Sequence, residues 1–185
     1  MTIIQKDSKV TTAIHFEEDF FINEYKITLT LAINTESARE QNIAMDRALY
    51  ILEDVLSHSI LIYTDDSDAL EKYREAGIRI CELPEEPYDQ IIALCLLAKL
   101  NTVMEGRLAV TELTLSSRMG DNVRYKITDE QAEEVLDKDG WWNESSDALS
   151  YQDMELDSTD KKITALFQNT VWDDVGLNWK ENTLQ

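Results

Sequence analysis

Basic side chains are scarce in this 185-residue chain: 17 Lys and Arg stand against 37 Asp and Glu, a formal net charge of −20 at pH 7. The longest basic run is Lys161-Lys162. Sequence-independent nucleic-acid binding needs clustered Lys and Arg, and a strong negative charge raises repulsion from phosphate and anionic lipid. Neither direct nucleic-acid binding nor membrane binding is therefore expected. Two prolines and five glycines leave no linker signature, and no internal repeat or low-complexity tract is visible. The longest apolar run, Ile91–Ala98, has the length of a core helix and falls short of the roughly 18 residues of a membrane span. Two cysteines, Cys81 and Cys95, build no disulfide framework. Met1–Lys6 has no apolar signal region, so the expectation is a reducing cytoplasmic setting with both thiols buried and inert. Two histidines, His15 and His58, exclude a three-His zinc site. Motifs of the H-E-x-x-H, C-x-x-C and G-x-S-x-G kinds are missing.

What is present is enough apolar material, 43%, for a proper core. Residues 12–16 read as a short strand, followed by the acidic turn Glu17-Glu18-Asp19. Residues 24–33 alternate with period two, Tyr25, Ile27, Leu29, Leu31 and Ile33 sharing one face. These two strands predict a hairpin. Ser37-Ala38-Arg39-Glu40 is a capping box opening a helix to about Ser57. Ser59–Tyr63 reads as a buried strand. Residues 67–76 read as a helix stopped by Gly77, and 78–83 as a strand. A helix apolar almost all round runs from Pro87 to about Gly106. A second hairpin spans 107–117 and 122–128, with a one-residue phase change after Val110 that predicts a β-bulge. Thr128-Asp129-Glu130-Gln131 is a second capping box, with Ala132, Val135 and Leu136 inward and Gly140 beyond. A last helix fits 159–170. The order ββαβαβαββ, with hairpins at both ends, predicts an α+β fold. Its sheet is mixed, mostly antiparallel and packed on three helices. Residues 1–128 form the body, and 129–185 an acidic, Trp-rich helical segment packed on it.

That segment holds 15 acidic and four basic side chains and all four tryptophans. Acidic disordered tails are poor in aromatics, so a folded segment is expected. Tryptophan is enriched at interaction hot spots, and carboxylate beside indole suits Arg and Lys. Trp141, Trp142, Asp153, Glu155, Asp157, Trp172, Asp173, Asp174 and Trp179 are thus the candidate partner-binding residues, with Trp172 and Trp179 the expected outward rings. The competing reading is that tryptophans cap the body's own core. Asp65, Asp66 and Asp68 follow a buried strand at the kind of carboxyl edge where α/β ligand sites lie. They are candidate Mg²⁺ ligands, although capping of the next helix explains them as well. Beyond that magnesium no cofactor is implied. His15 and His58 are each a candidate general base. Pro84-Glu85-Glu86-Pro87 reads as a solvated turn.

The composition favours a non-catalytic acidic binding or inhibitor protein that presents carboxylates to a basic surface. Its extreme form is a nucleic-acid mimic docked on a nucleic-acid-binding protein. A structural or assembly subunit of a larger complex, viral ones included, is the alternative, with homo-oligomer formation open. A metal-dependent enzyme using Asp65, Asp66 and Asp68 is the second.

Overall fold

The computed structural model describes residues 2–136 and 140–143. The fold is α+β, built on one mixed six-stranded sheet. Two long strands lead the chain, β1 (Ile3–Phe16) and β2 (Asp19–Ile33), paired antiparallel from Ile3↔Ala32 to Phe16↔Asp19. The hairpin turn is closed by Glu17, which takes a left-handed φ of 56°. The first strand thus begins well before residue 12, where the alternation of apolar residues starts. Its early residues (Gln5, Lys6, Asp7, Ser8, Lys9) carry no hydrophobic signal and are held by ladder hydrogen bonds to β2, not by burial.

Helix α1 (Ala38–Tyr50) follows, with Ser37 accepting from the Glu40 N–H at its start. The expected long helix continues only as a π-turn, Ile51–Val55, and a 3-10 turn, Leu56–His58. Next come β3 (Ser59–Tyr63), α2 (Ser67–Glu75), β4 (Arg79–Leu83) and α3 (Asp89–Met104). Strands β5 (Leu108–Ser117) and β6 (Tyr125–Thr128) form the second hairpin, and α4 (Asp129–Val135) closes the described body.

The strand order is β4-β3-β1-β2-β5-β6. β1, β3 and β4 run parallel, and the β1–β2–β5–β6 pairings are antiparallel. Between Thr30 and Leu31 the β2–β5 register jumps from Glu112 to Val110, the expected bulge.

Alternation sorts the side chains. Even-numbered β1 residues and odd-numbered β2 residues face the main core with α1 and α3, where Val10, Ile14, Tyr25, Ile27, Leu29 and Leu31 are buried. On the opposite face a smaller core of Ile60, Ile62 and Ile80 is covered by Ala69, Leu70 and Tyr73 of α2, with Ala13 against it. The rest of that second face carries mostly polar side chains outward, with Ile3, Phe20 and Ile22 as exposed apolar exceptions.

At the start of α4 the Thr128 N–H donates to Gln131 Oε1 at 2.9 Å, half of the capping box. Ala132 is buried and Leu136 half-buried, but Val135 is 57% exposed. The helix ends there because Leu136 turns extended, so the expected inward stripe covers two residues, not three. Trp141 and Trp142 lie against α3 and are 7% and 5% exposed. Trp141 Nε1 donates to Glu82 O at 2.8 Å. Lys99, fully buried in α3, donates to Trp141 O at 2.9 Å and sits over the indole. A Cβ on Gly140 would run into the Trp142 ring, so this position requires glycine. The helix expected at 159–170 lies outside the described residues, and among those described no helix is long and apolar enough to cross a membrane.

Two stability predictions follow from this packing. Trp141→Ala removes a core side chain and leaves Glu82 O without its donor; urea unfolding is expected to show a loss of about 3–5 kcal/mol. Asp89, at the first turn of α3, has its carboxyl pushed above the usual range by burial, partly offset by hydrogen bonds from Ser117. A raised carboxylate pKa penalises the folded state as pH climbs from the unfolded to the folded value. Asp89→Asn is thus expected to raise Tm at about pH 7 and leave it nearly unchanged below about pH 3.

Candidate functional site

The carboxyl ends of the three parallel strands lie on one edge of the sheet. β1 brings His15 there, on the odd-numbered face together with Ala13, while its neighbour Ile14 points into the main core. β3 is apolar because both of its faces are covered, and it delivers the turn at Thr64, Asp65 and Asp66. β4 delivers Glu82. α2 begins at this edge and packs back over the same face, turning Tyr73 inward.

His15 is held at both ring nitrogens. Nε2 lies 3.0 Å from Asp66 Oδ2, and Nδ1 lies 3.0 Å from the Tyr73 hydroxyl. The Tyr73 and His15 rings meet edge to face at 5.5 Å. Asp66 serves twice: Oδ1 accepts the Ala69 N–H as the N-cap of α2, and Oδ2 faces the imidazole. An ionised carboxylate only accepts hydrogen bonds, so the neutral form of His15 that fits this geometry donates from Nε2–H to Asp66. That leaves Nδ1 as an acceptor, and the Tyr73 O–H donates to it. Burial, and then the Asp66 charge, push the Tyr73 phenol above its ordinary range.

The surroundings are polar and held in place. The Tyr63 hydroxyl donates to Asp65 Oδ2 at 2.8 Å, which pushes that phenol up. Glu82 accepts from Arg74 at 2.7 Å and from the Thr64 hydroxyl at 3.1 Å. Phe20, directly opposite His15 on β2, is 52% exposed. The edge therefore combines a wetted carboxylate, a half-buried imidazole, a nearly buried phenol and an open aromatic ring.

Sequence reasoning placed His15 and Asp66 in separate candidate sites, and the fold brings them together. Tyr73, a buried residue of α2, joins them there. The one signal available was its place about two turns beyond the Asp66 cap, on the inner stripe of α2. The three carboxylates expected to hold Mg²⁺ are dispersed in purpose. Asp66 faces His15, Asp65 faces Tyr63, and Asp68 is exposed on the first turn of α2. Among the described residues no three His, Cys, Asp or Glu side chains are grouped to hold a metal ion. His58 is elsewhere, its Nδ1 2.6 Å from Asp54 O at the end of its own helix. Of the expected partner-binding residues, Trp141 and Trp142 are in the core. Asp153, Glu155, Asp157, Trp172, Asp173, Asp174 and Trp179 lie outside the described residues.

No protein-family model and no curated protein matches the chain. Among solved structures it is similar in shape to 6-pyruvoyltetrahydropterin synthase of Plasmodium vivax, with a TM-score of 0.44 and 10% identity over 68% of this chain and 96% of that one. Two catalytic-residue mutants of the same protein give TM-scores of 0.44 and 0.43 at the same identity and coverage. By name these neighbours in shape are an enzyme and its mutants. The expectation of a non-catalytic acidic binding or inhibitor protein that displays its tryptophans is corrected. A physical reason for the correction lies in the body itself: the first two tryptophans of the acidic segment are spent on the core and present no indole surface to a partner.

Proposed function

We propose that the protein is an enzyme that moves a proton on a small substrate at the carboxyl ends of β1, β3 and β4. Tyr73, His15 and Asp66 form its relay. One observation carries this reading: the His15 imidazole is gripped at both nitrogens, by a carboxylate on one side and a phenol on the other. A third group that fixes the tautomer of a base, and a hydroxyl within hydrogen-bond reach of that base, are the parts general acid–base catalysis requires.

The relay works as a shuttle. A substrate hydroxyl or activated C–H gives its proton to the Tyr73 oxygen while the Tyr73 proton passes to His15 Nδ1. The imidazolium that forms is faced by Asp66. The reverse movement returns the proton to product. A phenol is a much weaker acid than an imidazolium, and burial pushes the Tyr73 phenol up further. The phenol thus keeps its proton at rest and hands it on only as another arrives. Buried Cys81 and Cys95, both unpaired and both with thiols pushed up by burial, support a reducing, cytoplasmic setting for this activity.

Nitrogen-15 NMR of the imidazole tests the geometry: His15 is expected as the Nε2–H tautomer, and an Nδ1–H tautomer would sink the relay. In a panel of small-molecule isomerase, hydratase and lyase assays, Tyr73→Phe and His15→Gln are expected to lower kcat by about 100-fold or more. Asp66→Asn keeps the helix cap, since Asn caps as well as Asp, so its loss of activity at unchanged Tm separates the relay from a structural role. Activity indifferent to all three substitutions rules the site out.

A further inference from the structure

We propose a second site, independent of the relay, on the open face of the antiparallel half of the sheet: a pocket for the phosphoryl group of a small phosphorylated molecule, held by Lys9, Lys26 and Arg124. The register builds it. Lys9 stands directly opposite Lys26, and Lys26 directly opposite Ser116. Tyr125 pairs with Leu115 on the core side, so Arg124, one residue earlier, continues the same outward rung beyond Ser116. The next rung is Asp7, Thr28, Thr114 and Lys126. Between the two rungs lies a depression of about 430 Å³ lined by Lys9, Lys26, Arg124, Thr28, Thr114 and Ser116, and by one carboxylate, Asp7. That volume is within the range of small-molecule sites.

Charge makes the arrangement informative. Lysines directly opposite each other across an antiparallel pair are about 5 Å apart at Cβ and repel. This chain has more than two acids for each base, so placing a carboxylate there would have been easy. The nearby acids are engaged. Asp7 accepts from the Thr28 hydroxyl at 2.6 Å, and Glu112 pairs with Lys126 at 2.8 Å. Among the described residues Lys26 has only the side-chain oxygen of Asn122, at 3.3 Å. That contact leans its ammonium toward the β5–β6 turn that carries Arg124. Local rules broken without structural gain mark functional positions. Two ammonium groups, a guanidinium and the Thr114 and Ser116 hydroxyls supply the charge-assisted hydrogen bonds a phosphoryl group takes.

The ligand is small because of the molecule around the patch. Glu24 and Glu112 flank it on the same face. Duplex nucleic acid carries one charge about every 1.7 Å, and would press most of them against a molecule of net −20. A single phosphoryl group meets only the local positive pocket. Lys9 and His15 share one face of β1 six residues apart, about 20 Å along the strand, which keeps this site distinct from the relay.

The test is an NMR titration of the full chain with inorganic phosphate, with a DNA duplex as a second arm. Saturable amide shifts centred on Lys9, Lys26 and Ser116 are expected. Lys9→Gln and Lys26→Gln should each weaken binding by about tenfold or more, while the unliganded variants unfold at the same temperature as wild type or above it, because a repulsion has been removed. Three binding results would overturn the proposal: no saturable shifts, shifts unaffected by both substitutions, or duplex binding tighter than phosphate with the same lysine dependence. Variants that lose stability without ligand would also overturn it, by showing that the lysines are structural.

Discussion

Strict alternation along β1 and β2, locked by fourteen consecutive residue pairs from Ile3↔Ala32 to Phe16↔Asp19, is the constraint on which the rest of the molecule depends. It sends Val10 and Ile14 into the core under α1 and α3. The same phase sends His15 beneath α2 and Lys9 to the open face. A slip of one residue would exchange the two sets, burying charge and exposing the core. Both proposed sites are therefore consequences of one register, and the hydrophobic side of the hairpin is what enforces it.

The parallel half is joined to this hairpin by a short seam. Only Ala13↔Ile60 and Ile14↔Leu61 pair β1 with β3. Thr12 reinforces it from within the core, its hydroxyl 2.6 Å from Leu56 O and 2.9 Å from Ser59 O. That seam sets the height of β3 against β1, and so the height of Asp66 against His15. α2 then closes over the smaller core of Ile60, Ile62 and Ile80 and carries Tyr73 to the far side of the imidazole. Packing, strand pairing and helix capping thus converge on one ring.

Local rules made much of the fold readable. The N-cap at Ser37, the capping box at Thr128, the apolar β3, the all-round apolar α3 and the phase change in β5 each depend on neighbours in sequence, and α+β with hairpins at both ends followed from them. Gln5 to Lys9 of β1 were not readable, because a stretch held by pairing alone leaves no apolar pattern. The candidate site was only half visible. His15 and Tyr73 are 58 residues apart, and their meeting depends on a parallel pairing that no local pattern encodes. The facing of Lys9 and Lys26 likewise needs the hairpin register. The tryptophans misled in part because indole suits a partner's surface and a protein's own core equally well. Trp141 went to the core because Lys99 and Glu82 offered its carbonyl and its N–H a place to bond.

The π-turn at Ile51–Val55 has a further consequence. A helix end usually satisfies its last carbonyls with water or a cap. Here Leu56 O receives the hydroxyl of Thr12 on another element, and Val55 O receives that of Ser59 at 2.5 Å. The helix end, the start of β3 and the middle of β1 therefore open as a single cooperative unit. Amide protons along this stretch would exchange with solvent at a common rate, set by the seam and not by the fraying of any one element.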